Sequence, residues 1–391
     1  MTGTIDEAAP HPRKAAWPLA ILIASVGCTS LVLGYLVHEA SSTWLYARAF
    51  EQYTAADAAA DDASADFTAL LERAERTTGQ SESLEAVADP AYVDAAAIAA
   101  MSDAADALAS TIEQARAAAL DAEPAYPAPD DLEAPAWERY ADVARLVDSR
   151  DTRLEEVGEL DDAAREVSTA RRTAESTQDA LFDALATTAE HELTSHPAAS
   201  YRTRIALRHA IDQEGPSWVH MDGSPAAFSA TVIAIDELRT SHAAEEARRL
   251  EPEYPVRAEI ETFARSISAG VTLDFSWAYE VNGLSSDEWY SGTAEFWPSD
   301  GGWGSINLTH SVSDSWYEDP NAKAVVVHEV GHTQVVRPAC EPLFSGPEFS
   351  GDHEMWATAW AIGMGYDIPG SGIEAYGRPS DAQIAVAAQC R

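Results

Sequence analysis

DPNAKAVVVHEVGH, residues Asp319 to His332, reads as a helix that carries two histidines and a glutamate on an otherwise apolar body. Asp319 is suited to cap it and Pro320 to its first turn, and Ala322 to Val330 runs on without a breaker. Arg337-Pro338 marks its expected end. The five residues His328-Glu329-Val330-Gly331-His332 fit the H-E-x-x-H pattern. At i and i+4 both imidazoles leave one helix face and are placed to grip one metal ion. Glu329, next to the first of them, is placed to take a proton from a water molecule at that ion. A buried helix carrying the three groups by chance is the alternative, and it would be costly without a partner for them.

A metal site of this kind needs a third protein ligand. The extended pattern H-E-x-x-H-x-x-G-x-x-H is excluded, because Val335 stands at its glycine position and Pro338 at its third histidine. The next candidate stretch is Gly351 to Ala361, GDHEMWATAWA, read as a second helix with Ala357 and Ala361 on the face of Glu354. Small residues there let two helices approach closely and bring a carboxylate at the helix start onto the metal. Glu354 is the favoured third ligand, with Asp352 and His353 as its competitors.

HEVGH followed by E-x-x-A-x-x-x-A resembles the active site of the glutamate-type zinc metallopeptidases (gluzincins), including the compact ImmA/IrrE-like group. The resemblance covers residues 328 to 361. It implies zinc as cofactor, His328, His332 and Glu354 as its ligands, Glu329 as general base, and a peptide or protein as substrate. Thr358 departs from the pattern, standing where the family usually has Asp or Asn to orient a ligand histidine from behind. A threonine hydroxyl is able to accept the same imidazole N–H, more weakly.

Trp17 to Val37 is a nearly unbroken apolar stretch, long enough to span a bilayer as a helix. Arg13 and Lys14 precede it and Glu39 follows, so the expectation is a cytoplasmic segment 1–16, a membrane helix 17–37 and an exported remainder. A cleaved signal peptide is the rival reading, disfavoured by the length of the stretch and the lack of a clear cleavage site. Of the three cysteines, Cys28 lies inside the apolar stretch, leaving Cys340 and Cys390 as a pair expected to form a disulfide in an oxidising compartment. A net charge of −40, from 65 acidic and 25 basic residues, argues against nucleic acid or anionic lipid as a general partner.

The texture of the chain changes once. Of 21 glycines 16 follow residue 200, as do eight of 11 tryptophans. Residues 38–213 are rich in Ala, Asp, Glu and Arg and read as a helical stalk, with helices over Thr43–Arg76, Ala91–Ala122 and Asp151–Leu193. The breaks between and after them are Gly79-Gln80-Ser81, Pro124 to Pro135, and Ser195-His196-Pro197. Sparse stripes such as Leu154, Val157, Leu160, Val167, Leu181 and Leu185 are compatible with coiled-coil pairing and self-association through the stalk.

Residues 214–391 read as a small α+β domain of zincin type. It has helices over Ser224–Leu250 and Tyr254–Ser268, strands over Val271–Tyr279 and Ser305–His310, and a Trp- and Gly-rich loop from Gly283 to Gly304. The resemblance implies that an edge strand just before the active helix holds an extended substrate, and residues 303 to 310 are the natural candidate. Trp289, Tyr290, Trp297 and Trp303 are read mainly as packing for a small core, with a substrate cleft as the alternative. His310, His353, Tyr366 and Tyr376 are the candidates for steadying a tetrahedral oxyanion. The expected function is that of a membrane-anchored zinc metallopeptidase. The rival expectations are a non-catalytic envelope scaffold with a structural zincin domain, and a zinc amidase acting on cell-wall peptides.

Overall fold

The computed structural model describes residues 17–118, 126–131, 133–213, 223–287 and 289–391, with side chains from residue 29 onward. The tail expected at 1–16 and part of the proline-rich break at 124–135 therefore lie outside the described residues, as does the side chain of Cys28. The chain divides into two compact units, residues 1–82 with 101–177 and residues 83–100 with 178–391.

The first unit is built on helices α1 (Trp17–Glu85), α2 (Ala95–Ala115) and α3 (Ala136–Ser195). Their shared core is thin and alanine-rich, as the sparse stripes imply: Phe67, Leu70 and Ala74 meet Leu108, Ile112 and Ala115 and then Leu160, Val167 and Ala174. Leu154, expected in the stripe, is 53% exposed. The break expected at Gly79-Gln80-Ser81 does not form. α1 continues to Glu85, and the Ser81 hydroxyl donates back to the Thr77 carbonyl inside the helix. α2 starts later than Ala91, because Asp94 turns the chain and its carboxylate accepts the Ala96 N–H. Leu31, Val32, Leu33, Leu36 and Val37, in the expected membrane stretch of α1, all face outward. Among the described residues the helix long and apolar enough to cross a membrane is α2, whose Leu108 and Ile112 are buried in the helical core.

The second unit is α+β. Helices α4 (Tyr201–Gln213), α5 (Ser224–Arg248) and α6 (Tyr254–Ile267) precede strand β1 (Thr272–Ala278). The unit begins earlier than the change in composition near residue 213 suggests. Asp274 on β1 accepts the Tyr201 and Arg202 N–H groups, capping α4 from the sheet. A two-stranded hairpin follows, β2 (Glu280–Val281) and β3 (Leu284–Ser285), then β4 (Gly292–Trp297) and β5 (Trp303–Thr309). The main sheet has the order β1-β5-β4, with β1 parallel and β4 antiparallel to β5. The expectation that residues 303 to 310 form a substrate-pairing edge is thus overturned: β5 is paired on both sides. The edge strand beside the helix of His328 and His332 is β4, which arises inside the stretch expected to be a loop.

The short α7 (His310–Asp314) leads to α8 (Pro320–Thr333), and α9 (Glu341–Phe344) to α10 (His353–Gly363). α11 (Ile373–Tyr376) and α12 (Asp381–Ala387) complete the order. α8 is capped as expected, the Asp319 carboxylate accepting the Asn321 N–H. It is buried almost throughout, among Ile260 of α6, Ile306 and Leu308 of β5, and Trp356 and Trp360 of α10. Close approach of α8 and α10 depends on Gly331, where a Cβ would lie 3.1 Å from the Ala357 backbone. The Trp356 indole donates to the Gly331 carbonyl at 3.0 Å and fixes that contact. Cys340 and Cys390 form the expected disulfide, with Cα atoms 5.4 Å apart.

Candidate metal centre

Helix α8 presents His328 and His332 on the face that meets the start of α10, and Glu354 comes in from the first turn of α10. His328 Nε2 and His332 Nε2 lie 3.1 Å apart. Glu354 Oε2 lies 3.2 Å from the first and 3.4 Å from the second. Three donors each about 2.0–2.1 Å from one tetrahedral ion would stand about 3.4 Å from one another. The triangle therefore has the size of a shared coordination sphere, and these three residues are suited to hold a metal ion. The competitors for the third position are engaged elsewhere. Asp352 caps α10, its carboxylate accepting the Met355 N–H at 3.0 Å. The ring of His353 packs against Phe296 and Phe344.

The protonation pattern fits a cation. His328 Nδ1 faces the Ser371 carbonyl at 3.0 Å, and a carbonyl only accepts, so Nδ1 carries the proton. Nε2 is then left with a lone pair aimed at the Glu354 carboxylate, itself an acceptor. A positive charge between them resolves the conflict. Burial pushes the Glu354 carboxyl upward, but the His328 and His332 imidazoles beside it outweigh that and hold the group well below the usual carboxylate range.

Glu329 is 4% exposed and faces the cleft beside these ligands. Burial raises its pKa, opposed by the neighbouring His328 and His332. Its Oε2 is buried without a hydrogen-bond partner, an unmet acceptor of the sort a substrate or water molecule would satisfy. Tyr376 stacks on His328, ring centroids 5.9 Å apart. Burial, the charge of Glu354 and a hydrogen bond to it push the phenol up to about 12, so it remains a donor at neutral pH.

Of the four oxyanion candidates, Tyr376 is the one that lines the cleft with His328 and Glu329. Tyr366 packs on the main core, His353 lies between the two phenylalanines, and His310 begins α7 with its backbone N–H on Ser286. Thr358 differs from expectation. Its hydroxyl is buried with no hydrogen-bond partner, and the imidazole N–H it was expected to accept goes to the Ser371 carbonyl instead. The reason is steric: Gly372 brings the backbone of the 369–377 segment over both groups. That segment is pinned to α8 by the Gly370 N–H on Asn321 Oδ1. The role of Ser371 could not be read from its side chain, since its carbonyl acts. The run Pro369-Gly370-Ser371-Gly372 was the available signal of close backbone approach.

A cleft of about 330 Å³ opens on His328 and Glu329 and is lined by Leu284, Trp289, Tyr290, Val325, Ala375 and Tyr376 among others. A neighbouring cavity of about 440 Å³ shares Trp289 and Tyr290 and continues over Ser286, Asp287, Ser311, Asp314 and Ser315. The four aromatic residues of the strand region thus divide. Trp289 and Tyr290 line the cleft, whereas Trp297 stacks on the buried Trp303 at 4.0 Å. No known family model, curated protein or solved structure matches the chain, and the reading of this centre rests on its own geometry.

Proposed function

We propose that the chain is a zinc metallopeptidase, held at a membrane by the first part of α1 and working on the extracytoplasmic side. The observation that carries the reading is the triangle of His328 Nε2, His332 Nε2 and Glu354 Oε2 with the buried, unpartnered Glu329 carboxylate beside it. Two neutral imidazoles and one carboxylate are a donor set suited to zinc and leave a coordination position open. Bound there, zinc supplies Lewis acidity, polarising a peptide carbonyl and easing deprotonation of the attacking water.

The chain's own residues do the rest. Glu329 accepts the proton of the attacking water on its free Oε2 and delivers it to the leaving amine nitrogen. The Tyr376 hydroxyl, held protonated, turns from Glu354 to donate to the developing oxyanion. β4, with one edge unpaired among the described residues, is available to align an extended peptide along α8. The outward-facing apolar residues 31–37 of α1 support the anchor.

The decisive experiment measures metal content of the purified full chain together with hydrolysis of a mixed peptide pool, before and after chelation. Stoichiometric zinc, activity lost with chelator and restored by zinc are expected. A zinc-replete protein that cleaves nothing would favour the scaffold reading, and cleavage of cell-wall amides alone would favour the amidase.

A further inference from the structure

The cleft beside Glu329 has an apolar wall that the fold leaves uncovered. Leu284 is 37% exposed and Trp289 48% exposed, and both border the same space as His328 and Glu329. Exposed large apolar groups converging on one concave surface mark a recognition site more often than a scattered set does. Their placement is built. Leu284 sits on the β2–β3 hairpin, whose turn at Asn282 and Gly283 has positive φ at both positions, as a tight two-residue turn requires. Ser291 ties the hairpin to the sheet, its hydroxyl donating to the Val281 carbonyl. Trp289 is fixed through its backbone, its N–H on Ser285 and its carbonyl accepting from Ser311.

We propose that Leu284, Trp289 and the facing Ala375 form a subsite for one bulky apolar side chain, aromatic or large aliphatic, directly beside the peptide bond to be cleaved. The position beside a scissile bond rests on the peptidase reading, whereas the binding preference stands apart from it. Size supports it: an apolar cavity of about 150 Å³ already holds benzene, and this cleft has about 330 Å³. The limit to one side chain comes from the adjoining cavity, where Asp287, Asp314 and three serines join the shared Trp289 and Tyr290 in the lining. A continuous apolar ligand such as a lipid chain would have to desolvate those groups.

The test uses the full-length protein in detergent, with N-acetyl-phenylalanine amide, N-acetyl-leucine amide, N-acetyl-serine amide and N-acetyl-aspartate amide as probes and ligand-observed NMR titration as readout. Hydrolysis of a fluorogenic peptide library is followed separately. The phenylalanine and leucine amides are expected to bind about tenfold more tightly than the serine and aspartate amides, a discrimination ordinary for an apolar pocket. Trp289→Ala should abolish the difference, and Leu284→Ser, on the exposed hairpin, should reduce it in a folded protein of normal metal content. Equal binding of all four probes, or preference for aspartate, overturns the subsite. The apolar preference without turnover of any peptide upholds the subsite and removes the peptidase reading, so the two failures are distinct.

Discussion

Gly292 and Glu329 touch so closely that a Cβ on the glycine would lie 2.6 Å from Glu329 Cγ and 2.7 Å from its Oε1. The first residue of the edge strand therefore sets where the carboxylate rests. Gly292 is held from its neighbour: the Ser291 N–H donates to Thr309 Oγ1 and the Thr309 N–H returns to the Ser291 carbonyl. The strand has no freedom to retreat, so the glutamate must move if a methyl group is added.

Gly292→Ala should accordingly lower kcat by about 100-fold, the loss expected from displacing a reacting group by about 1 Å. Metal content and thermal stability should stay near those of the parent, since the ligands lie elsewhere. Parental kcat with the alanine present would show that Glu329 is not held by this contact.

The two glutamates near the metal centre should separate cleanly. Glu329→Gln keeps the shape but loses basicity, and turnover should fall by about 10²–10⁴-fold with zinc retained. Glu354→Gln replaces a carboxylate ligand by an amide, and zinc affinity should fall by more than the roughly 10–100-fold that follows loss of an outer partner. Zinc titration against a competing chelator reads both. Full zinc affinity in Glu354→Gln, with loss in Asp352→Asn or His353→Ala, would reassign the third ligand.

Tyr376→Phe should leave zinc in place and reduce kcat by about 10²–10³-fold, with KM little changed, as removal of an oxyanion donor does. The phenol, pushed up to about 12, stays protonated through pH 10. Its charged form should therefore cause no loss of activity below about pH 11, and ultraviolet difference titration of parent against Tyr376→Phe would locate it.

The sequence made the two ligand helices legible because both begin with unambiguous signals. Asp319-Pro320 and Asp352 cap as they read, and the bounds of α8 and α10 follow within a few residues. β4 was hidden: GTAEFW lies between Trp- and Gly-rich turns that resemble loop, and its pairing with β5 is a long-range property that no local pattern encodes. The Ser371 carbonyl was invisible for a similar reason, since a backbone group has no side-chain signature. The start of the second unit was misplaced because α4 shares the composition of the preceding helices. Contacts between distant residues join it to the sheet, the Asp274 cap, the Arg202–Glu295 ion pair and the Tyr201–Trp303 ring contact among them.

Cys340–Cys390 closes a loop with a sequence separation of 50 around α10, and the Trp360 indole donates to the Cys390 carbonyl at 2.8 Å. Replacing both cysteines by serine should cost about 2–4 kcal/mol of stability, read as a lowered Tm. Glu354 sits on the helix so restrained, and zinc should protect the double mutant more than the parent against heat. An unchanged Tm would mean that the packing of α12 on α10 suffices alone.

Thr358 gives the sharpest test of how His328 is oriented. Its hydroxyl has no partner in a fully buried position, and a buried unmet hydroxyl carries a cost that an isosteric methyl avoids. Thr358→Val should be neutral or up to about 1 kcal/mol more stable, with zinc affinity intact, because the Ser371 carbonyl already accepts the imidazole N–H. Thr358→Asp should not strengthen zinc binding as the family pattern alone would suggest. The Gly372 backbone leaves no room for a longer group, a Cβ there lying 2.4 Å from Thr358 Oγ1. The aspartate would push the 369–377 segment, and with it Ser371, away from His328. Zinc titration of the two variants decides the matter: tighter binding in Thr358→Asp, or weaker binding in Thr358→Val, would show that the residue at 358 rather than the Ser371 carbonyl orients the ligand.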